Sequence, residues 1–132
     1  MTPIKCRKIL IIDDECDLAD VLALRLRAAG DFEVATAMDG QEGMEKTGSF
    51  KPDIILLDIA MPRMDGWEFC RRLRADPATR NIPVVIMTAW LSNAVHKEAA
   101  SARFSRLLFK PFDPNELVLL LRSDSLMNPS GA

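Results

Sequence analysis

The chain is poor in the residues that build disulfide or soft-metal sites. Its 132 residues include three cysteines, Cys6, Cys16 and Cys70, and one histidine, His96. An odd count, wide spacing and the lack of a CxxC pair argue against a disulfide framework or a zinc site, so the thiols are expected to be reduced packing residues. Long hydrophobic runs are missing as well. The basic start "KCRK" leads into only four aliphatic residues, "ILII", too short for a signal-peptide core or a membrane span, and a cytoplasmic protein is expected. The net charge is −2 with acids and bases interspersed, which leaves no footprint for nucleic acid or an anionic membrane. No glycine-rich phosphate loop or dinucleotide fingerprint occurs, so the protein is not expected to grip a nucleotide by itself.

What the chain does have is aliphatic residues in short bursts. Hydrophobic residues make up 48% of the sequence, enough for one compact core, and the chain is too short for two. Strands are predicted at Ile9 to Ile12, Glu33 to Ala37, Ile54 to Leu57, Val84 to Met87 and Leu107 to Phe109. "ILII", "IILL" and "VVIM" lack alternation, as expected of parallel strands covered on both faces. Helices are predicted between them: Cys16 to Ala29, stopping at Gly30, then Gly40 to Lys46, Gly66 to Arg74, and one within Ser92 to Ala102. In the first, Leu18, Val21, Leu22, Leu26 and Ala29 form the apolar arc, with Arg25 intruding on it. The last helix begins at "DPNE", where Asp113 caps, Pro114 opens the helix and Glu116 completes a capping box. Alternating strands and helices predict a doubly wound α/β sandwich with a five-stranded parallel sheet and helices on both faces. Ligands of such sheets bind beyond the carboxyl ends of the strands.

Those ends carry the chemistry. "KILIIDDE" runs from a core strand directly into acids, although crowded carboxylates repel and resist desolvation. Asp13 and Asp14 follow the first strand, Asp58 the third, Thr88 the fourth and Lys110 the fifth, and a parallel sheet sets these positions side by side. Oxygen donors without nearby histidine or cysteine select a hard cation such as Mg²⁺, which takes one or two carboxylates and keeps waters it can exchange for a phosphoryl oxygen. Asp58 then suits a nucleophile towards phosphorus, with the metal and Lys110 supplying positive charge and Thr88 a hydrogen-bond donor. Plainer roles fit other residues: Glu15 as a helix cap, His96 as a solvent-facing side chain, and Arg71, Arg72 and Arg74 as an exposed helix face.

"ILIIDDE", "DIILLDIAMPRMDG", "VVIMTA" and "LLFKPF", in this order and spacing, resemble the receiver domains of two-component response regulators over about Arg7 to Arg122. The resemblance implies a flavodoxin-like fold with strand order 2-1-3-4-5. It implies that Asp58 is the phosphoacceptor, served by a histidine kinase or a His-containing phosphotransfer protein. Asp14, Asp58 and the Ala60 carbonyl would ligate Mg²⁺ directly and Asp13 through water, while Thr88 and Lys110 would contact the phosphoryl group. A cis Lys110–Pro111 peptide is implied too. The family turns an aromatic side chain inward three places before the lysine, where this chain has Leu107, and many members have glycine where it has Arg103. Ala60 and Trp90 occupy two positions that tune phosphoryl lifetime; neither holds water well, so slow dephosphorylation is expected.

On this reading residues 1–122 are a receiver domain and 123–132 a flexible tail. The domain catalyses only its own phosphorylation and dephosphorylation and is not an enzyme on outside substrates. Output passes to a downstream protein by contact. A homodimer through the last helices is another candidate contact, since Val118 and Leu119 are expected to face outward beside core-facing Leu117, Leu120 and Leu121. Three alternatives remain: an aspartate-nucleophile phosphatase, whose usual DxD spacing "IIDDE" lacks; a phosphate-independent scaffold, against which the complete set of five polar residues speaks; and a receiver excised from a larger regulator or hybrid kinase.

Overall fold

The computed structural model describes residues 6–59, 66–88 and 106–123. Five strands, β1 (Arg7–Ile12), β2 (Phe32–Ala37), β3 (Ile54–Asp58), β4 (Val84–Thr88) and β5 (Arg106–Phe109), form one parallel sheet in the order β2-β1-β3-β4-β5. Helices α1 (Cys16–Ala28), α2 (Gly40–Phe50), α3 (Gly66–Ala75) and α4 (Pro114–Arg122) pack on its two faces. The helix expected within Ser92 to Ala102, with Trp90, His96 and Arg103, lies outside the described residues. So do residues 60–65 and all but the first residue of the expected tail.

Successive side chains of a strand point to opposite faces, so the unbroken aliphatic runs fill two cores at once. Ile9, Ile11, Ile54, Leu56, Val85 and Met87 meet Leu22, Leu26, Leu117 and Leu121 of α1 and α4. Leu10, Ile12, Ile55, Leu57, Val84 and Ile86 meet Phe69, Cys70 and Leu73 of α3. Each such fully buried side chain contributes about 1.5–3 kcal/mol relative to exposure. These two layers hold the strand ends in register.

Several expectations need correction. Ala19, Leu22, Ala23 and Leu26 form the buried face of α1, while Leu18 and Val21 are 44% and 65% exposed. Alanine leaves room for the close approach of helix to sheet, so small residues take the inward positions. Arg25 is exposed and donates to the Asn115 side chain, which ties α1 to the start of α4. Glu15 occupies the N-cap position of α1 but its side chain makes no capping bond; Asp13 Oδ1 accepts the Glu15 N–H at 3.0 Å instead. Cys6 and Cys16 are exposed because they stand before β1 and at the open start of α1, and only Cys70 packs in a core.

α2 runs beyond Lys46 to Phe50 and closes at Lys51, whose φ of 54° is left-handed. Asp39 Oδ1 accepts the Glu42 N–H at 2.8 Å and Glu42 Oε1 accepts the Met38 N–H at 2.8 Å, a reciprocal N-terminal clasp written in the sequence as "DGQE". At α4 the Asp113 carboxylate accepts from Asn115 N at 2.9 Å, one residue earlier than a capping box with Glu116 requires. Leu117 and Leu121 of α4 are buried and Val118 is half-buried against the core, so the outward apolar side chain is Leu119, 67% exposed.

The far end of α4 is tied down by charge. Arg7 Nη1 donates to the carbonyls of Leu121 and Ser123 at 2.6 and 3.1 Å, and Arg122 Nε donates to Asp31 Oδ2 at 2.7 Å. The Arg122 guanidinium holds the Asp31 carboxyl below its ordinary 3.8. A lowered folded pKa means that the pair's contribution is complete above that ordinary value and disappears as the pH falls through the folded value. Asp31→Asn is therefore expected to lower the Tm slightly near neutral pH, the gap to wild type closing in strong acid. Thermal melts across that range check it, and a gap that widens in acid contradicts it.

Candidate phosphoacceptor pocket

The carboxyl ends of β1, β3, β4 and β5 deliver Asp13, Asp58, Thr88 and Lys110 to one rim, as read from the sequence. Asp13, Asp58 and Thr88 are buried, and Asp14 is exposed beside them. One carboxylate oxygen from each of Asp13, Asp14 and Asp58 lies within 4.8 Å of the others. Lys110 Nζ donates to Asp58 Oδ2 at 3.1 Å and to Asp13 Oδ2 at 3.2 Å, and its side chain is 18% exposed. The backbone of Lys110 is tied to β4, since Lys110 N donates to the Thr88 carbonyl at 2.8 Å; the Lys110–Pro111 peptide is cis.

Burial pushes the Asp13 carboxyl up, the Glu15 N–H pulls it back, and repulsion from Asp58 adds to the rise. For Lys110, burial pulls the ammonium down, but attraction to Asp58 and Asp13 outweighs it and the net shift is upward. Three acids thus face one ammonium. The cluster retains excess negative charge behind a partly dry wall, where Coulomb interactions are stronger than in water.

Backbone precision at this rim depends on Gly66. Its N–H donates to the Ile59 carbonyl at 3.1 Å, pinning the start of α3 to the residue that follows Asp58. A Cβ on Gly66 would meet Ile59 Cα at 2.5 Å, so only glycine fits. Leu107, three places before Lys110, is half-buried and packs against the core on the α3 side. Ala60, expected to offer a carbonyl ligand, and Trp90 lie outside the described residues. Sequence reasoning misses the groove that opens beside the pocket: it assigns Leu18 and Val21 to the core, and their exposure is not readable from spacing alone.

The chain is a member of the response regulator receiver domain family, whose model matches residues 9–122. It is 40% identical over 116 residues to the response regulator PleD of Caulobacter vibrioides, covering 88% of this chain and 25% of that protein. It is 35% identical over 116 residues to the DNA-binding dual master transcriptional regulator RpaA of Synechocystis sp., covering 88% and 48%. The chain therefore spans between a quarter and a half of the length of these curated relatives. Among solved structures, the Vibrio cholerae chemotaxis protein CheY4 is similar with a TM-score of 0.81 at 31% identity, over 88% of this chain and 96% of that one. A putative response regulator from Chloroflexus aurantiacus gives 0.82 at 32%, over 93% and 98%. Among the described residues, no helix is long and apolar enough to cross a membrane.

Proposed function

We propose that the chain is a phosphorylation-controlled switch that accepts a phosphoryl group on Asp58 from a histidine kinase or a His-containing phosphotransfer protein and passes the signal on by protein contact. The observation that carries this reading is the convergence of Asp13, Asp14 and Asp58 on one another with Lys110 bonded to Asp58. An all-oxygen trio with two buried members fits a hard divalent cation, and Asp13, Asp14 and Asp58 would hold it. Bound there, Mg²⁺ would supply Lewis-acid neutralisation of phosphoryl oxygens. The chain's own residues do the rest. An Asp58 carboxylate oxygen forms the new O–P bond as the donor's bond to phosphorus breaks, and the donor leaves with that electron pair. Lys110 follows the equatorial oxygens with its ammonium, kept charged by its two acidic neighbours. Thr88, at the adjoining strand end, is the hydroxyl donor for the arriving group.

A phosphoryl group brings close to two negative charges into a site already crowded with acids, and the readjustment of Lys110 and Thr88 is the local event that output would read. No step acts on an outside substrate, so the domain is a signalling module rather than a metabolic enzyme. Incubation with acetyl phosphate and Mg²⁺ is expected to add the mass of one phosphoryl group, and the same mixture with EDTA to add none. Turnover of a generic phosphate ester without a stable protein adduct would favour the phosphatase alternative and overturn this reading.

A further inference from the structure

We propose that Arg27 and Lys46 guard the outer edge of β2 and keep it from pairing with β2 of a second copy of the chain. β2 stands at one margin of the sheet, beside β1. The Asp13 N–H donates to the Ala37 carbonyl at 3.0 Å, so Ala37 turns its backbone polar groups towards β1 and, by alternation, Thr36 and Val34 turn theirs outward. Both outward carbonyls are taken by cations. Arg27 Nη2 donates to the Val34 carbonyl at 2.8 Å, and Lys46 Nζ donates to the Thr36 carbonyl. Arg27 belongs to α1, which packs with one core layer, and Lys46 to α2, whose Met44 and Phe50 pack with the other. The edge is therefore gripped from both faces of the sheet.

The strand behind the guards is suited to pair with itself. "FEVATA" carries aromatic and β-branched residues, one charge and no proline, the composition from which edge-to-edge association grows. In an antiparallel pair about a twofold axis at Ala35, Val34 of one copy lies opposite Thr36 of the other, and the outward N–H and C=O groups of both residues find partners. Glu33 then opposes Ala37 and not a second Glu33, so no like charges meet. Sheet edges are commonly blunted by a charge on the strand itself; here the charges come from the flanking helices. A second strand needs the carbonyls that Arg27 and Lys46 occupy, and two copies together would have to give up four such bonds. Each one surrendered weakens pairing by roughly a factor of five.

Sedimentation equilibrium on the full chain, without Mg²⁺ or a phosphoryl donor, tests the assignment, so that failure here leaves the proposed function standing. The double variant Arg27→Ala, Lys46→Ala is expected to raise the self-association constant over wild type by at least about a hundredfold, and either single variant by at least about tenfold. Lys46→Arg, which keeps a donor, should behave as wild type. Adding Thr36→Pro to the double variant should return it to the wild-type state, because proline removes an outward N–H and is tolerated on an edge strand. Adding Leu119→Asp, on the exposed apolar side chain of α4, should leave the association intact. Amide exchange in the double variant should slow with rising concentration over Phe32–Ala37. Far-UV circular dichroism and melting show that the variants fold, and the single variants decide the matter if the double variant does not. Unchanged association in the folded variants overturns the proposal. So does association that survives Thr36→Pro, vanishes with Leu119→Asp or leaves exchange over β2 unaltered.

Discussion

Asp58→Asn is expected to leave the chain without any phosphoryl adduct after exposure to acetyl phosphate and Mg²⁺, where the wild type gains one. The amide is isosteric with the carboxylate but is a poor nucleophile, and it would no longer offer an anion to Lys110, whose ammonium now bonds Asp58 at 3.1 Å. Asp13 and Asp14 remain in that variant, so residual labelling at wild-type level would mean that another residue accepts the group. Lys110→Met provides the electrostatic counterpart. Removing a preorganised cation aimed at developing charge costs roughly 10²–10³ in rate in comparable sites. Labelling should therefore slow by about that factor while the site of modification stays at Asp58. Time-resolved intact mass measurement separates the two outcomes, and an unchanged rate in Lys110→Met would remove the lysine from the mechanism.

The second large effect is structural and comes from one missing methyl group. In Gly66→Ala the new Cβ would stand 2.5 Å from Ile59 Cα and 2.8 Å from Ile59 Cγ2. Backbone cannot yield as a flexible side chain does, and Ile59 follows the proposed phosphoacceptor directly. Overpacking of this kind costs about 3 kcal/mol or somewhat more, which for a domain of this size lowers Tm by about 10 °C. Gly48, within α2, is a matched control, since a Cβ there meets nothing within 4 Å. Gly48→Ala is expected to be neutral or stabilising, because alanine favours the helix by up to about 1 kcal/mol. Thermal melts of both variants check the contrast. Similar melts for the two would show that the Gly66 approach does not constrain the rim.

The parts of the fold that sequence reveals best are those where every residue says the same thing. "ILII", "IILL" and "VVIM" are apolar on both faces, and the strands stand where expected with ends shifted by one or two residues. Their carboxyl ends follow, which is why Asp13, Asp58, Thr88 and Lys110 are legible together: topology alone brings them to one rim. Helix faces are harder. In α1, leucine, valine and alanine compete for the interior, and spacing does not reveal that the sheet lies close enough to prefer Ala19 and Ala23 over Leu18 and Val21. α4 departs the other way, with Val118 drawn half-inward. Partners far apart in the chain are not legible at all. Arg25 with Asn115, Arg122 with Asp31 and Arg7 with the Leu121 carbonyl join residues about ninety or more apart, and single-residue chemistry gives no hint of them. The Asp39–Glu42 clasp is local and readable in "DGQE", but a strand end read only for catalytic groups hides its cap.

The proposed switch depends on the carboxylates of Asp13, Asp14 and Asp58 sharing a divalent cation, which would offset their mutual repulsion. Calorimetric titration of Mg²⁺ into the unphosphorylated chain, beside Asp14→Asn, measures this without any phosphoryl chemistry. One ion per wild-type chain, with affinity reduced at least about tenfold in the variant, is the expected result. Absence of binding in the wild type, or equal affinity in Asp14→Asn, would contradict it.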